Sequence, residues 1–230
     1  MGKEFEIRRE VELPATPEAV WEAVATRPGI ASWLFPEDPG PDAQIESDRP
    51  RRYAVRTGGP GGFNSVEFVI EGRDGGRTLL RYVHSGVIAE ENWDDQYDAV
   101  DGHTDFYLHT LGQYLEHFSP RTATYVGGGP GGLQGPEASM TPDAFETLKQ
   151  TLGATTTGDR VRVPVDEVDG VVDYLTANFM GIRSDEALYR FFGRNAFGGP
   201  VGMSIHYFGD GVDAEATGAA WTAWLDRVYS

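Results

Sequence analysis

The sequence predicts an α+β protein in which an antiparallel sheet packs against one long helix, followed by a second α+β unit. Three observations carry this reading. From Glu90 to Phe118, the residues Trp93, Tyr97, Val100, Leu108, Leu111, Leu115 and Phe118 recur at steps of three and four, with Thr104 breaking the series. That is the period of one helix face. Ahead of it lie short runs of alternating apolar and polar residues separated by glycine-rich turns, as in an antiparallel meander. Behind it, Thr141-Pro142-Asp143-Ala144-Phe145 echoes Thr16-Pro17-Glu18-Ala19-Val20, as though the chain repeated its own grammar.

Taken in order, residues 4 to 13 place Phe5, Ile7, Val11 and Leu13 on one side and Glu4, Glu6, Arg8, Glu10 and Glu12 on the other, the pattern of a half-buried strand. Thr16 is a natural N-cap, Pro17 suits the first helical position and Glu18 the first turn, so a helix is expected from 17 to about 26, closed by Pro28-Gly29. Residues 30 to 35 (IASWLF) read as a second short helical turn. A short strand is expected at 43–47, then better ones at 52–56, 65–71 and 78–85, divided by the turns at 58–62 and 73–76. Val66, Phe68 and Ile70 face inward in the natural phase. For the next strand we take Leu80, Tyr82 and His84 as facing the long helix, because Arg81 suits a solvated face. A helix over all of 90–118 would be about 43 Å long at ~1.5 Å per residue, and Gly102 is expected to bend or break it.

After a boundary near Ser119-Pro120, strands are expected at 122–126, 160–165, 170–175, 187–192 and 201–208. A helix should open at Thr141-Pro142-Asp143, and another, capped by Asp213, should carry Trp221, Trp224, Leu225 and Val228. Residues 1–119 then form one domain and 120–230 a second, read either as a degenerate copy of the first or as an α+β appendage.

Composition narrows the chemistry. The 230 residues contain no cysteine, which excludes disulfides, thiol nucleophiles and cysteine zinc sites. The formal charge is −17, with acids in excess in both halves, so the surface repels phosphate backbones and anionic lipid. We therefore expect neither nucleic-acid nor membrane binding. With no long apolar run and a charged start, MGKEFEIRRE, a cytoplasmic protein is expected. The glycine-rich stretches lack the patterns that cradle phosphate and read as turns. Asp94, Asp98, Asp101 and Asp105 share a helix face, but that spacing also describes the solvated side of an amphipathic helix, so no metal or other cofactor is assigned.

The segments VELPATPEAVWEAVATRPGIASWLF at 11–35, PRRYAVR at 50–56 and TLLRYVHSG at 78–86, followed by the Trp93 helix, resemble in their order the SRPBCC superfamily, also called START-like or birch-pollen-allergen-like. Within it they look most like the branch related to the activator of the heat-shock-protein ATPase. The resemblance covers residues 4–118 and implies the helix-grip fold, a sheet curled round a long carboxy-terminal helix. It also implies a cavity between them for an apolar or amphipathic small molecule. One hairpin usual in that superfamily has only about fifteen residues to fill its place here, so a sheet shorter by one strand is expected. Members serve as lipid or hormone binders, polyketide aromatase/cyclases, dioxygenase domains and chaperone-activating modules, so the resemblance does not choose a function.

On this reading Trp33, Phe35, Phe68, Tyr82, His84, Trp93, Tyr97, Tyr107 and Leu111 are the candidate ligand-binding residues. The leading expectation is a binding protein for a small apolar molecule. An aromatase/cyclase-type enzyme, with His84 or Tyr82 moving a proton, is the first alternative, and an interaction module that meets a chaperone or a second copy is the next. His84 titrates near neutrality when unperturbed and could act as acid, base or anchor, or simply hydrogen-bond a neighbour at a strand end.

Overall fold

The alternation at the start of the chain forms β1 (Gly2–Leu13), and Thr16 caps α1 (Pro17–Ala25), its hydroxyl accepting from the Ala19 N–H. Pro28-Gly29 does not close this helix but opens the next, α2 (Arg27–Ala31). The reason lies in Thr26, whose hydroxyl donates to the Glu22 carbonyl at 2.7 Å and accepts from the Gly29 N–H at 3.1 Å, ending one helix and capping the other. Gly29 is buried where a Cβ would stand 2.0 Å from the Glu22 carbonyl oxygen, so only glycine lets α2 fold back this closely. These coordinates are a computed structural model that describes residues 2–36, 38–59, 62–89, 93–128 and 132–230, without the side chains of 59, 88, 89 and 93–95.

Four strands follow: β2 (Gln44–Asp48), β3 (Arg52–Gly59), β4 (Gly62–Arg73) and β5 (Arg77–Ala89). They run as an antiparallel meander, and β1 returns to pair with β5, giving the order β1-β5-β4-β3-β2. The strands outrun their apolar cores because pairing continues to the turns, Gly59 opposite Gly62 and Arg73 opposite Arg77. Register places Ile7 opposite His84, Arg9 opposite Tyr82 and Val11 opposite Leu80, while Phe68 stands opposite both Tyr53 and Tyr82. All of these share one face. The other face carries ion pairs, Arg81 with Glu10 and Glu71 and Arg52 with Glu46 and Glu67. A slip of one residue would exchange the two faces, so apolar pattern and charge pattern specify the same register.

The long helix α3 (Trp93–His117) lies on the apolar face, against β1 and β5. It runs through Gly102 without a break. Its buried stripe is wider than the periodicity implied, since Phe106, Thr110 and Tyr114 join Leu108, Leu111 and Leu115. Thr104, which interrupts the apolar series, is itself buried, its hydroxyl satisfied by the Val100 carbonyl at 2.8 Å. Asp101 and Asp105 are not simply solvated: Arg9, on the apolar face of β1, reaches both at 2.8 and 2.5 Å. These half-exposed pairs raise the proton affinity of Arg9, mainly through the hydrogen bond to Asp105. Arg9→Met should lower stability by about 1 kcal/mol at low salt and by less at high salt, as chemical denaturation at two ionic strengths would show.

By its contacts the chain divides into two compact units, Met1–Pro120 and Arg121–Ser230. In the second, β6 (Thr124–Val126) and β7 (Leu133–Gln134) precede α4 (Ala144–Leu152), then come β8 (Arg160–Val163), β9 (Val168–Leu175), β10 (Phe179–Arg183), β11 (Ala187–Phe192), β12 (Gly202–Tyr207) and α5 (Ala214–Val228). The sheet order is β6-β12-β11-β10-β9-β8, with β7 also on β12. The opening strand again pairs with the last one before the closing helix, so the second unit repeats the helix-grip connectivity of the first. Helix α4 begins at Ala144, later than Thr141-Pro142, and Asp143 at its N-cap makes no side-chain cap bond. Asp213 caps α5 as expected, accepting from Glu215 and Ala216. Strand β10 was not expected: it is only five residues long and carries Gly181 at its centre, so its short run offers no strand signal beyond that of a turn. Phe145 and Leu148 of α4 and Trp221, Trp224 and Leu225 of α5 pack with Ile182, Tyr189, Phe191, Met203 and Ile205 into one core. Among the described residues no helix is long and apolar enough to cross a membrane.

Candidate functional site

The helix-facing side of the first sheet is closed at one end and incompletely covered at the other. At the closed end Leu13, Val20, Trp33, Ile70, Leu80, Leu108, Leu111 and Phe118 are buried, and the Trp33 indole N–H donates to the Ala23 carbonyl at 2.9 Å. From there a chain of ring contacts runs up the sheet: Trp33 to Phe68 at 6.5 Å, Phe68 to Tyr82 at 5.4 Å, Tyr82 to His84 at 6.3 Å and His84 to Phe5 at 5.0 Å. Alternation on β4 and β5 puts these side chains on one face, and edge-to-face geometry suits the ring quadrupoles. Tyr53, Val55, Val66, Tyr82 and His84 share this face yet remain only half-buried. Farther along the same face, Ile45 on the edge strand β2 is 54 % exposed.

The polar groups of this region are few and already oriented. The His84 Nε2 lies 2.7 Å from Asn64 Oδ1. A carboxamide oxygen only accepts, so Nε2 carries the proton and Nδ1 is the acceptor in the neutral ring. Burial lowers the proton affinity of His84 to about 4, so the ring is neutral at physiological pH. Burial likewise pushes the Tyr82 phenol well above its ordinary value, against a smaller opposing effect of the Thr104 hydroxyl, and Tyr82 stays a protonated donor. Across on α3, Tyr107 touches Phe35 at 6.1 Å and His103 at 5.8 Å, and the His103 Nδ1 lies 2.6 Å from the Ala99 carbonyl oxygen. Such an arrangement offers an apolar wall with a few neutral hydrogen-bonding groups.

Of the residues singled out by sequence, Trp33, Phe68, Tyr82 and His84 form one continuous ring series, and Phe35 and Tyr107 form a separate pair. Leu111 is closed off completely, in the packed end rather than the half-open one. Tyr97 is half-buried on the first half of α3, and the side chain of Trp93 lies outside the described residues. Phe5, Tyr53, Asn64 and His103 were not singled out. Period two would have found Tyr53 and Asn64, which share the phase of Phe68 and Val66, but nothing local marks Asn64 as the partner of a histidine twenty residues on. Among the described residues no group of three or more His, Asp or Glu is placed to hold a metal ion, and Asp101 and Asp105 are engaged by Arg9.

No family model matches the sequence, and no curated protein does. Solved structures of similar fold include the Aha1 dimer from Colwellia psychrerythraea, at 18 % identity over 49 % of this chain and 96 % of that one, with a TM-score of 0.39. Another is an AHSA1-like protein from Rhizobium etli, at 24 % identity over 49 % and 82 % of the two chains, with a TM-score of 0.38. A third, the di-domain ARO/CYC protein BexL, covers 98 % of this chain and 99 % of its own at 13 % identity, with a TM-score of 0.42. The helix-grip connectivity is read from the chain itself, in the strand order β1-β5-β4-β3-β2 followed by the long helix α3.

Proposed function

We propose that the amino-terminal unit binds a small apolar or amphipathic molecule between α3 and the half-open end of β3, β4 and β5. The observation that supports this is the incomplete cover over Val55, Val66, Tyr82 and His84, on a face that is fully packed at its other end. Apolar wall left in this state gains by burial against a ligand, at about 25 cal/mol per Å² removed from water, and the His84–Asn64 pair supplies orientation. Native mass spectrometry of the purified protein, compared with its denatured mass, tests the reading. An added mass that leaves on activation and is lost in Val66→Trp is the expected result. Failure of any small apolar probe to bind in a Val66-sensitive way would overturn it.

The neighbouring Tyr82 and His84 support a second reading, an aromatase/cyclase-type reaction in which the phenol donates a proton and the imidazole accepts one. His84→Gln separates the two: a binder keeps a ligand and has no turnover to lose, whereas an enzyme keeps the ligand and loses turnover.

The same variant carries a stability prediction. The folded His84 takes a proton only near pH 4, whereas an unfolded histidine does so near ~6.5. The unfolded chain therefore binds the proton first as pH falls. The contribution of His84 is fully present above about pH 6.5 and is lost as pH drops toward about 4, with a slope of about 1 kcal/mol per pH unit after allowance for partial exposure. Urea midpoints at neutral and mildly acidic pH should converge more in His84→Gln than in the unaltered protein.

A further inference from the structure

We infer that the molecule held in this groove is uncharged, with a neutral hydroxyl, carbonyl or amide as its polar head. The inference rests on the binding reading above and adds the class of ligand. Apart from Lys3, Arg9 is the only permanent cation that the described strands turn toward α3. Lys3 stands at the exposed start of β1, four residues, or about 13 Å, from Ile7, which lies opposite His84. Arg9 is taken by two carboxylates, Asp101 through Nη2 and Asp105 through Nε, so this cluster is net negative before any ligand enters. An anionic head would meet that excess and find no uncommitted guanidinium on this face of the described strands. A cationic head would have to compete with Arg9 for carboxylates already held at 2.8 and 2.5 Å.

A neutral head meets no such conflict. The Asn64 amide nitrogen is a donor, and the His84 Nδ1 is an acceptor with no protein partner among the described residues. A hydroxyl can answer either, and a carbonyl or amide can answer the donor. On the same face of the sheet Tyr82 and Tyr53 contribute phenols rather than charges. A carboxylate could accept from the Asn64 amide or the Tyr82 phenol, but it would meet the Asp101/Asp105 excess with no opposite charge, since burial keeps His84 neutral.

Three probes of one ring size separate the cases: naphthol, naphthoate and naphthylmethylammonium, titrated by calorimetry into the full chain near neutral pH. Naphthol should bind at least tenfold more tightly than either charged analogue, and Val66→Trp or Val55→Trp, each checked for an unchanged circular dichroism spectrum, should abolish the difference. If a charged probe binds as tightly as naphthol and still responds to Val66→Trp, the groove binds ligands but the inference of an uncharged head is wrong. If no probe shows Val66-sensitive binding up to millimolar concentration, the inference falls together with the reading on which it rests.

Discussion

Asp173→Ala should destabilise the carboxy-terminal unit by about 3–5 kcal/mol, because it removes the carboxylate that a buried guanidinium holds bidentately. The Arg190 and Asp173 side chains are 2 % and 5 % exposed, and Arg190 donates to both carboxylate oxygens, at 2.8, 3.0 and 3.1 Å. Burial, with a smaller contribution from the Arg183 charge, pulls the Arg190 proton affinity down, and Asp173 is what opposes it. The pair joins β9 to β11 across β10, and β10 supplies Gly181 at the crossing point. A Cβ there would stand 2.2 Å from both Arg190 Nη1 and Asp173 Oδ1. Pairing of β9 with β10 shifts at the same place, since Gly181 faces Tyr174 but Ile182 faces Val172, which leaves Asp173 as the extra residue of a bulge. Gly181→Ala should therefore be destabilising as well. The double variant Asp173→Leu/Arg190→Met should lose far less than Asp173→Ala alone, since no charge then remains buried. Urea denaturation, with hydrogen exchange to locate the loss, decides the matter. A change below about 1 kcal/mol in Asp173→Ala would contradict the burial of the pair.

Leu111→Ala should destabilise the amino-terminal unit by about 2–5 kcal/mol, the range for emptying a tightly packed aliphatic site. Leu111 has no exposure and sits on α3 among Leu108, Leu115 and the fully buried Phe106. The placement also separates two substitutions that the sequence alone would treat alike. Leu111→Trp adds volume where none is open and should itself cost about 1–3 kcal/mol. Val66→Trp adds volume on the half-open part of the same face and should leave stability nearly unchanged while blocking ligand. Thermal melts of the three variants would show whether the packed and open ends are divided as described.

Within the site, what was legible in sequence was what repeats at short range. Period two along β4 identified the face of Phe68, along β5 it left two faces open until the charge of Arg81 chose the one with Tyr82 and His84, and steps of three and four identified α3. The bulge at Asp173, the double use of Thr26 and the N-terminus of α4 were not legible, because each depends on what the neighbouring element does with a backbone hydrogen bond.

By itself, then, the sequence determined the elements of the first unit and the inward phase of its strands, since apolar periodicity and turn residues act over a few neighbours and need no distant partner, while its helix-grip connectivity was implied by the resemblance. Only the tertiary structure decided which polar groups meet: Arg9 with Asp101 and Asp105, His84 with Asn64, Arg190 with Asp173 past Gly181. Those pairings join residues seventeen to ninety-six positions apart. They arise because burial removes the water that would otherwise satisfy each group, so a charged or polar side chain drawn inside by its strand phase must find its counterpart in whatever element lies across from it.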